Sequence, residues 1–410
     1  MRIAIIGTGI SGLTCAHLLH PHHQLTVYEA DARIGGHTNT VTVPDAQGRT
    51  WPVDTGFIVC NRRTYPNFTA MLDRLGVALK PTDMSFAMSC PRSGVEYNGH
   101  DINGLFAQRR NLLSPSFHGM WIDILRFNRL TRRWLDADPA LTVGAALAGA
   151  GFGRRFREHY LEPICAAIWS MPAAGLDRFP ARFLARFLDN HGMNTVADRP
   201  QWCTVAGGSA TYIAAMIKPF ADRIRLRSPV RQVRRLGGTV SVATDADSEI
   251  YDQVIIAAHS DQALAMLDTP SLLEQQLLSA IPYQANEAVL HNDATAMPRL
   301  RRAWASWNVR PGEAGAPPAV TYWSNRLQGL DTTTPFLVSL NQAVDPGRVL
   351  DRFLYHHPRF TAAAPAAQAR HGELIQHHGV SHCGAYWRFG FHEDGVVSAL
   401  AVCQRFGVRP

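Results

Sequence analysis

The chain of 410 residues is too long for one compact core, and with 46% hydrophobic residues we expect it to fold as two domains. It contains no run of about 18 uncharged apolar residues, which excludes a membrane-spanning helix, and its seven cysteines are dispersed without a CxxC pair, which favours reduced thiols over a disulfide framework or a metal site. The net charge of +7 suits a solvated basic face or anionic lipid headgroups, and because no nucleic-acid motif accompanies it we expect no nucleic-acid partner.

The chain opens with an apolar run and a glycine-rich turn. Residues 3–6 read Ile-Ala-Ile-Ile, which predicts a buried strand, and the turn that follows has glycines at Gly7, Gly9 and Gly12. The first glycine allows a tight turn, the second lets the backbone approach a pyrophosphate, and the third lets the next helix pack on the strand. The free N–H groups and positive dipole end of that helix would then face the phosphates.

A second strand is predicted over residues 24–28, and Glu29 follows it directly. This carboxylate lies seventeen residues after Gly12, where an acid can accept hydrogen bonds from a ribose. Position and spacing together indicate a site for an adenine dinucleotide.

The residues that come next narrow the kind of dinucleotide. Residues 30–38 read Ala-Asp-Ala-Arg-Ile-Gly-Gly-His-Thr, and with the preceding acid they resemble the ExxxRxGG signature of flavoproteins in the monoamine oxidase and phytoene desaturase superfamily. In that superfamily the arginine and the paired glycines wrap the FAD pyrophosphate and lead the chain under the isoalloxazine ring. The resemblance assigns these roles to Arg33, Gly35 and Gly36, while His37 stands where an arginine is more usual.

Short strands and one helix are predicted next. Residues 38–43 and 51–57 read as two paired strands, and the apolar spacing over 66–75 predicts a helix closed by Gly76. The superfamily passes a D-x-G segment beside the flavin, which implies a contact from Gly56. Further strands are predicted near 77–80, 85–88 and 95–97.

Helical signals dominate from 102 to 191. Apolar residues recur every three or four positions between Phe117 and Leu130, which is the pattern of a buried stripe. The segment from Trp121 to Trp134 also combines aromatic residues with a basic set, namely Arg126, Arg129, Arg132 and Arg133. We therefore predict that this segment is an interfacial helix that attaches to anionic membranes.

After residue 200 the chain is predicted to return to the dinucleotide-binding part. Residues 201–209 resemble the strand and glycine turn that re-enter the FAD domain in amine oxidases, and Val230 matches the valine that packs on the adenine. Segments 239–244 and 253–259 are predicted to complete the dinucleotide sheet.

A second sheet is predicted from stretches that alternate apolar and polar residues. The alternation implies one buried face and one face that lines a cavity. Helices are predicted before and after these stretches, over 271–281 and near 365–376. The stretches themselves are 288–291, 304–309, 319–325 and 336–341.

The last motif, residues 383–387 and 390–395, directly precedes a helix predicted over 396–405. Amine oxidases carry a similar glycine strand end and a G-x-x-E-G turn, whose helix N-terminus points at the flavin pyrimidine, and this implies contacts from Gly384, Gly395 and Val396. The positive end of the helix dipole would stabilise negative charge on the reduced ring. Tyr386 stands where the superfamily usually has an acid, so the ribityl contact of that acid is left without an obvious source.

Nearly the whole chain also resembles one branch of bacterial FAD-binding proteins, through phrases at 53–59, 82–86, 285–291 and 390–395. Members of this branch resemble the flavoprotein domain fused to plant cyclopropane fatty acid synthase. In bacteria they are associated with cyclopropane-synthase-like methyltransferases and, in one lineage, with furan fatty acid formation. The resemblance implies a lipid or fatty acyl substrate and a methyltransferase of this kind as a partner.

The resemblance implies an α/β fold like that of the amine oxidases, with a Rossmann-like FAD domain and an α+β substrate domain. We expect residues 1–80, 201–285 and 378–410 to form the discontinuous FAD domain, and residues 81–200 and 286–377 to form the substrate domain. The predicted FAD contacts are Gly7, Gly9, Gly12, Glu29, Arg33, Gly35, Gly36, His37, Thr38, Gly56, Val230, Gly384, Gly395 and Val396.

The sequence shows no obvious catalytic base. Many amine oxidases place a lysine near flavin N5 through a water, but the two lysines of this chain, Lys80 and Lys218, are predicted to lie outside the second sheet. Tyr322, Tyr386 and His392 lie on segments expected near the ring, and for each of them packing competes with catalysis as an explanation.

Paired histidines occur at three places in the chain. Without an HExxH motif or a cysteine pair they do not indicate a metal site, so we predict no metal. We interpret the pairs as residues of surface loops. They are His22 with His23, His356 with His357, and His377 with His378.

Three functions remain open. The first is an oxidoreductase that dehydrogenates a modified or unsaturated fatty acyl chain by hydride transfer to flavin N5. The second is a flavin amine oxidase, which the missing lysine disfavours. The third is a redox-neutral double-bond isomerase or a non-catalytic partner of a methyltransferase. We expect a cytoplasmic protein without a cleaved leader that attaches peripherally to the inner face of the membrane.

Overall fold

The computed structural model describes residues 1–138, 140–169, 173–195, 199–312 and 317–409, with the side chains of Ala173 and Ala174 left out. Helices and several sheets alternate along the chain, which confirms the predicted α/β class. No helix in the described ranges is both long and apolar enough to cross a membrane.

The strands of the described residues fall into several sheets. In chain order they are β1 (Arg2–Ile6), β2 (Gln24–Tyr28), β3 (Thr40–Pro44), β4 (Thr50–Asp54), β5 (Cys60–Asn61), β6 (Leu79–Pro81), β7 (Phe86–Cys90), β8 (Val95–Asn98), β9 (Trp202–Val205), β10 (Ile224–Arg225), β11 (Gln232–Arg235), β12 (Val240–Ala243), β13 (Ser248–Tyr251), β14 (Gln253–Ile256), β15 (Tyr283–His291), β16 (Trp307–Arg310), β17 (Ala319–Trp323), β18 (Leu337–Leu340), β19 (Val349–Pro358) and β20 (Val380–His382).

The helices pack on both sides of these sheets or form a layer of their own. They are α1 (Ile10–Leu19), α2 (Pro66–Arg74), α3 (Ile102–Leu105), α4 (Pro115–Arg133), α5 (Val143–Leu147), α6 (Arg154–Phe156), α7 (Glu162–Trp169), α8 (Ala181–Asn190), α9 (Ala210–Ile217), α10 (Ser260–Met266), α11 (Leu272–Ser279), α12 (Ser324–Gln328), α13 (Ala364–Ala369) and α14 (His392–Arg405).

A parallel sheet with the strand order β10-β2-β1-β14-β20 carries the glycine turn. Its central strand is the apolar run found in the sequence, and Ile3, Ala4 and Ile5 are fully buried because helices or loops cover both faces. Parallel strands end at the same edge of a sheet. The residues that follow β1, β2 and β14 therefore meet at one edge, where the structure places the turn, Glu29 and Ala257.

One segment assigned to the parallel sheet belongs elsewhere. The prediction that residues 239–244 complete this sheet is wrong, since β12 pairs antiparallel with β11 and β13 in a small separate sheet. Only residues 236–239 connect β11 to β12. A connection this short makes a hairpin, whereas neighbouring parallel strands need a crossover of about a dozen residues.

A mixed sheet has the strand order β19-β15-β18-β17-β16-β7-β8, with β16 and β7 running parallel and the other neighbours antiparallel. It confirms the second predicted sheet but corrects its strands. β15 begins five residues earlier than predicted, β16 begins three residues later, and α12 replaces the predicted end of β17. β19, ten residues long, was not predicted.

A helical layer formed by α3 to α8 packs against the mixed sheet. The stripe on α4 is buried as predicted, with Phe117, Met120 and Phe127 each about 1% exposed or less. Together with β7, β8 and β15 to β18 this layer encloses the larger of the hydrophobic cores.

The final helix differs from its prediction. It begins at His392 rather than at Val396, because the Asp394 carboxylate accepts the Phe391 backbone N–H at 2.9 Å and so stabilises the earlier start. α14 packs against α1, where the Ser11 hydroxyl donates to the Gly395 carbonyl at 3.0 Å. The residue bounds of the two domains stay a prediction.

Candidate functional site

The glycine turn after β1 has the geometry that its sequence predicts. Gly7 has a φ of +103°, and a side chain on it would lie 2.8 Å from the Ala257 carbonyl oxygen. A Cβ on Gly12 would lie 2.0 Å from the Gly7 carbonyl oxygen, so only glycine lets α1 approach the strand this closely. Among the described atoms, the space beside Gly9 is open within 4 Å.

The amino end of α1 is available to an anion. Gly9 is its N-cap, no described side chain caps the helix, and its first turn contains no acid. Its first N–H groups and the positive end of its dipole therefore point into the open space at Gly9. Gly36 closes this space from the other side, since a Cβ on it would lie 3.0 Å from Gly9 Cα.

Glu29 is fixed beside the turn. One carboxylate oxygen accepts the Thr8 backbone N–H at 3.0 Å and the Thr8 hydroxyl, and the other accepts the Asp31 N–H at 2.9 Å. The backbone of Ser228 donates to the Glu29 carbonyl at 2.8 Å, which brings the segment before β11 alongside. Val230 lies on that segment and packs, partly buried, against the core that includes Tyr28. This arrangement brings Glu29 to the glycine turn, and the contacts of Glu29 and Val230 with an adenosine stay predictions.

Arg33 stabilises the loop that contains Gly35 and Gly36, which we call the double-glycine loop. Its guanidinium donates to the Gly36 carbonyl at 2.6 Å and to the Thr38 carbonyl at 3.1 Å. The Gly35 N–H donates to the Thr8 hydroxyl at 3.2 Å. The structure thus uses this arginine to shape the loop that faces the glycine turn.

A buried triangle of hydrogen bonds joins this loop to the mixed sheet. The Asn39 amide donates to the Thr55 hydroxyl at 3.0 Å and to the Tyr355 hydroxyl at 3.1 Å, and the two hydroxyls are 2.8 Å apart. Gly56 lies beneath the loop, where a Cβ would meet the His37 carbonyl oxygen at 2.1 Å. Sequence reasoning missed Asn39 and Tyr355 as site residues.

Four histidines converge at the same place, and we call them the histidine cluster: His37, His259, His356 and His357. The His37 ring lies 5.7 Å from that of His357 and 6.1 Å from that of His259, which lies 5.8 Å from that of His356. His37 stacks on Tyr355 and His259 stacks on Tyr283, at centroid distances of 5.0 and 4.2 Å.

The cluster corrects the interpretation of one histidine pair. His356 and His357 lie on β19 and are half-buried, so they are not surface-loop residues. Burial, reinforced by the neighbouring imidazoles, lowers the pKa of His37 well below its ordinary value. Burial likewise lowers the pKa of His259 and of His357 to about 4. Prediction of a strand over 349–358 would have placed this pair in the second sheet. The sequence signal for such a strand was the β-branched and aromatic content between Gly347 and Pro358.

His392 lies on the other side of the double-glycine loop. Its Nε2 is 3.0 Å from the Thr38 hydroxyl and 2.8 Å from the Tyr212 hydroxyl, and its ring stacks on Phe57 at 3.6 Å. Burial lowers the pKa of His392 to about 3, which keeps the imidazole neutral. Because α14 begins at this residue, His392 does not precede the helix as predicted.

The three predicted catalytic residues are not brought together. Tyr386 is buried 6.3 Å from Tyr283, and its hydroxyl has no partner among the described atoms. Tyr322 lies on β17, stacked 6.4 Å from Trp307. No described contact joins these tyrosines to each other or to His392, and their catalytic role stays a prediction.

The remaining predicted contacts lie near α14. A Cβ on Gly384 would strike the Tyr386 ring at 2.3 Å, and one on Gly395 would lie 2.7 Å from Ile10 Cγ2. Gly395 therefore allows α14 to approach the amino end of α1, as close packing requires. Val396 is 1% exposed and belongs to the core beneath α1. Their contacts with a cofactor stay predictions.

Neither lysine lies in the mixed sheet. Lys80, on β6, donates to the Gln328 and Gly329 carbonyls at 3.2 and 3.0 Å, and Lys218 ends α9. In the part of the chain that the structure describes, no group of three or more histidine, cysteine or acidic side chains could hold a metal ion.

These residues fit an adenine dinucleotide with a flavin. The open space at Gly9, the uncapped α1 and Glu29 suit a pyrophosphate flanked by an adenosine ribose. The contacts of individual residues with the flavin ring stay predictions.

Comparison with known families agrees with this geometry. The profile of the family described as flavin containing amine oxidoreductase matches residues 10–292. An L-amino-acid oxidase of Siganus canaliculatus is 24% identical over 76% of this chain and 59% of its own length. A probable zeta-carotene desaturase of Synechococcus elongatus is 25% identical over 68% of this chain and 60% of its own length. The chain thus spans about three fifths of the length of the curated relatives it matches.

Solved structures share the fold along nearly the whole chain. Cyclohexylamine oxidase from Brevibacterium oxydans superposes with a TM-score of 0.70 at 16% identity, covering 99% of both chains. A fatty acid isomerase from P. acnes that produces CLA superposes with a TM-score of 0.69 at 15% identity, covering 99% of this chain and 98% of its own. At such identities the likeness concerns the fold alone.

Proposed function

The chain belongs to the family of flavin-containing amine oxidoreductases, and from this premise we propose that it is an FAD-dependent oxidoreductase that dehydrogenates a modified or unsaturated fatty acyl chain. FAD, when bound, supplies the hydride acceptor. Gly7, Gly9 and Gly36 would hold its pyrophosphate, and Glu29 its adenosine ribose. The protein then has to bind and orient the acyl chain and exclude water.

The observation that carries the proposal is an aromatic wall, which consists of Trp169, Phe179, Phe183, Phe187, Phe360, Phe389 and Phe391. Trp169 contacts Phe187 at 4.8 Å, and Phe187 contacts Phe391 at 5.3 Å. The wall therefore runs from the helical layer to the N-cap of α14. The members of the wall in the helical layer are buried, with Phe183 8% and Phe187 2% exposed. Apolar side chains of this kind would suit an acyl chain, whereas a charged amine would lose hydration beside them without compensation.

The lysines support the same substrate class. Amine oxidation commonly uses a base near the flavin. The two lysines of this chain lie elsewhere, Lys80 bound to the Gly329 carbonyl and Lys218 at the end of α9. Beside the double-glycine loop lie the amide and hydroxyl groups of Asn39, Thr55 and Tyr355. The charged group of the loop itself, the Arg33 guanidinium, is bound to the Gly36 and Thr38 carbonyls. These groups suit the orientation of an uncharged substrate better than the capture of an ammonium ion.

Anaerobic mixing tests the proposal. We expect cis-unsaturated or cyclopropane fatty acyl phospholipids to bleach the visible absorbance of the bound flavin within a turnover, and primary or secondary amines to leave it unchanged. Bleaching by amines and not by lipids would overturn the proposal in favour of a flavin amine oxidase, which the L-amino-acid oxidase relative represents.

Product analysis of the same mixtures separates the third function. A lipid product formed without net bleaching would identify a redox-neutral isomerase, the activity named for one of the solved structures that share the fold. A new double bond formed together with bleaching supports dehydrogenation. A third outcome is that lipids neither bleach the flavin nor give a lipid product, while a methyltransferase depends on the protein. This outcome would indicate a non-catalytic partner.

Two variants test the role of His392 in flavin reduction. We expect His392→Ala to keep FAD but to slow reduction by lipid, because the imidazole supports the Thr38 end of the double-glycine loop at 3.0 Å. Tyr212→Phe is the comparison, since it removes the hydrogen bonds of the Tyr212 hydroxyl to His392 and to Thr38 and leaves the imidazole in place. Equal slowing in both variants would assign the effect to the Tyr212 hydroxyl and contradict a separate role of the imidazole.

A further inference from the structure

The histidine cluster lies directly beside the glycine turn. His37 follows Gly36, which closes the open space at Gly9. His259 is the N-cap of α10 and comes two residues after Ala257, whose carbonyl oxygen faces Gly7. His37 and His259 thus lie within two residues of segments that contact the turn, one in the double-glycine loop and one after β14. β19 brings His356 and His357 to the same point.

This place needs positive charge that fixed cations do not supply. The two phosphates of a dinucleotide carry two negative charges, and the described protein offers them the amino end of α1. The Arg33 guanidinium is already bound to the carbonyls of Gly36 and Thr38. Histidine is the residue whose charge can change here near neutral pH.

The surroundings of the cluster bear on its charge. Arg33 and the neighbouring imidazoles, including His392, oppose protonation of His37, and Asp261 on α10 favours protonation of His259. Asn286 on β15 lies 3.2 Å from His357 Nδ1, while Tyr283 and Tyr355 present uncharged rings. Without an anion His37, His259 and His357 are therefore largely neutral, and a nearby dianion is the group that would reverse this.

We propose that the histidine cluster binds the pyrophosphate of the cofactor and takes up a proton as it does so, which makes FAD affinity rise as the pH falls through neutrality. The proposal rests on the proposed function only for the identity of the cofactor. It concerns binding and not the substrate, so the binding test below and the flavin-reduction test fail independently.

The test is the pH dependence of FAD release. Holoenzyme is diluted at pH values from 6 to 8.5, and released FAD is measured by its fluorescence. With one linked proton, the dissociation constant rises up to about tenfold for each pH unit. Riboflavin, which lacks the pyrophosphate, and ADP-ribose, which contains it without the flavin, compete in parallel titrations. ADP-ribose affinity should follow pH as FAD affinity does, and riboflavin affinity should not.

Variants locate the proton. His37→Gln and His357→Gln should each weaken FAD binding at pH 6 and flatten its pH dependence, while leaving riboflavin affinity unchanged. His22→Gln, at an exposed turn after α1, is the matched control and should behave as the unmodified protein. A flat pH profile in the unmodified protein, or an equal slope for FAD and riboflavin, would overturn the proposal even if the variants failed to fold.

Discussion

Single residues define the adenosine end of the site more sharply than its catalytic end. Glu29 was predicted from its distance to the glycine turn, and the structure holds both of its carboxylate oxygens in hydrogen bonds from the turn and from its own loop. Arg33 was predicted from a resemblance, and the structure shows the loop carbonyls that it binds. The two residues lie within forty positions of the turn and depend on local geometry, which is why a short motif can locate them. Their contacts with FAD stay predictions.

Replacement of Glu29 tests this end of the site. We expect Glu29→Ala to lose most of its FAD on purification, because a hydrogen bond to a charged group contributes about 1.5–3 kcal/mol, or roughly ten- to a hundredfold in affinity. The measurement is the ratio of flavin to protein. Asp31→Ala is the matched control, since it removes an exposed carboxylate two residues away and leaves the Asp31 N–H in place. Full flavin content in Glu29→Ala would contradict the assignment.

The histidine cluster could not be predicted from the sequence, because its members come from distant segments. His37 meets His259 and His357 across more than two hundred positions of sequence, and no short motif records such a meeting. The histidine pair on β19 was taken for a loop because the strand itself was missed. An edge strand with one buried side chain among exposed ones gives a weak alternating pattern.

Among the elements, α4 differs from its prediction in which side chains are exposed. Its aromatic residues turn inward, with Trp134 only 4% exposed, and Arg126 is bound to Asp123 at 2.6 Å. The exposed residues nearby are instead aliphatic and basic, and we call them the α3–α4 face: Ile102, Leu112, Leu113, Ile122, Leu125, Arg109, Arg110, Arg129, Arg132 and Arg133. The prediction of an interfacial helix is therefore wrong about its apolar residues, because the exposed ones are aliphatic and not aromatic.

We propose that the α3–α4 face attaches the protein to anionic membranes. Leu113 is 89% exposed and Ile102 is 77% exposed, and three further large apolar side chains of this face are exposed as well. A group of this kind, unlike a single exposed leucine, is typical of an interaction surface. The neighbouring arginines complement anionic headgroups, and a lipid substrate has to leave the bilayer to reach a buried site. A methyltransferase partner remains a separate proposal that this face does not address.

Vesicle sedimentation tests this attachment. Replacement of Arg129, Arg132 and Arg133 by glutamine should weaken binding to phosphatidylglycerol vesicles by roughly a hundredfold, at about 1 kcal/mol for each charge. Leu112→Ser with Leu113→Ser should weaken it further, whereas Leu272→Ser, an exposed leucine on α11, should not. Binding that is unchanged by the arginine replacements, or by raised salt, would contradict the proposal.

At the scale of the whole molecule, buried histidines couple stability to pH. Burial lowers the pKa of His291, and its Nδ1 accepts the Asp293 N–H at 3.1 Å while its Nε2 lies 2.7 Å from the Ser339 hydroxyl. Nδ1 must be unprotonated to accept that bond. The histidines with a pKa lowered to about 3 or 4 are His191, His259, His291, His357, His371 and His392.

These histidines predict a melting temperature that falls on acidification. Between pH 6.5 and 4 the unfolded chain binds protons that the folded histidines refuse, so stability is lost as the pH falls. Asp54 and Asp394 act in the opposite sense, since burial raises their pKa to about 6, but they are two against six. For a fully buried histidine such as His291 the loss at pH 5 is roughly 2 kcal/mol.

Calorimetry at pH 7 and pH 5 provides the measurement. We expect His291→Gln to lose less stability between these pH values than the unmodified protein, because it removes one of the responsible groups. His22→Gln should show the unmodified dependence. A melting temperature that rises on acidification would show that the buried carboxylates dominate instead.

The parallel sheet is built from distant parts of the chain, and this determines when it can be completed during biosynthesis. β20 completes this sheet by pairing with β14, and α14 seals α1, yet Gly7 and Val380 lie about 370 residues apart in the chain. At roughly 5–20 residues per second, a ribosome needs on the order of twenty to seventy seconds to make that interval. During this time the nascent glycine turn has no finished sheet around it, so we expect cofactor capture to wait until β20 and α14 have been made, and the open strand edges are exposed to chaperones until then.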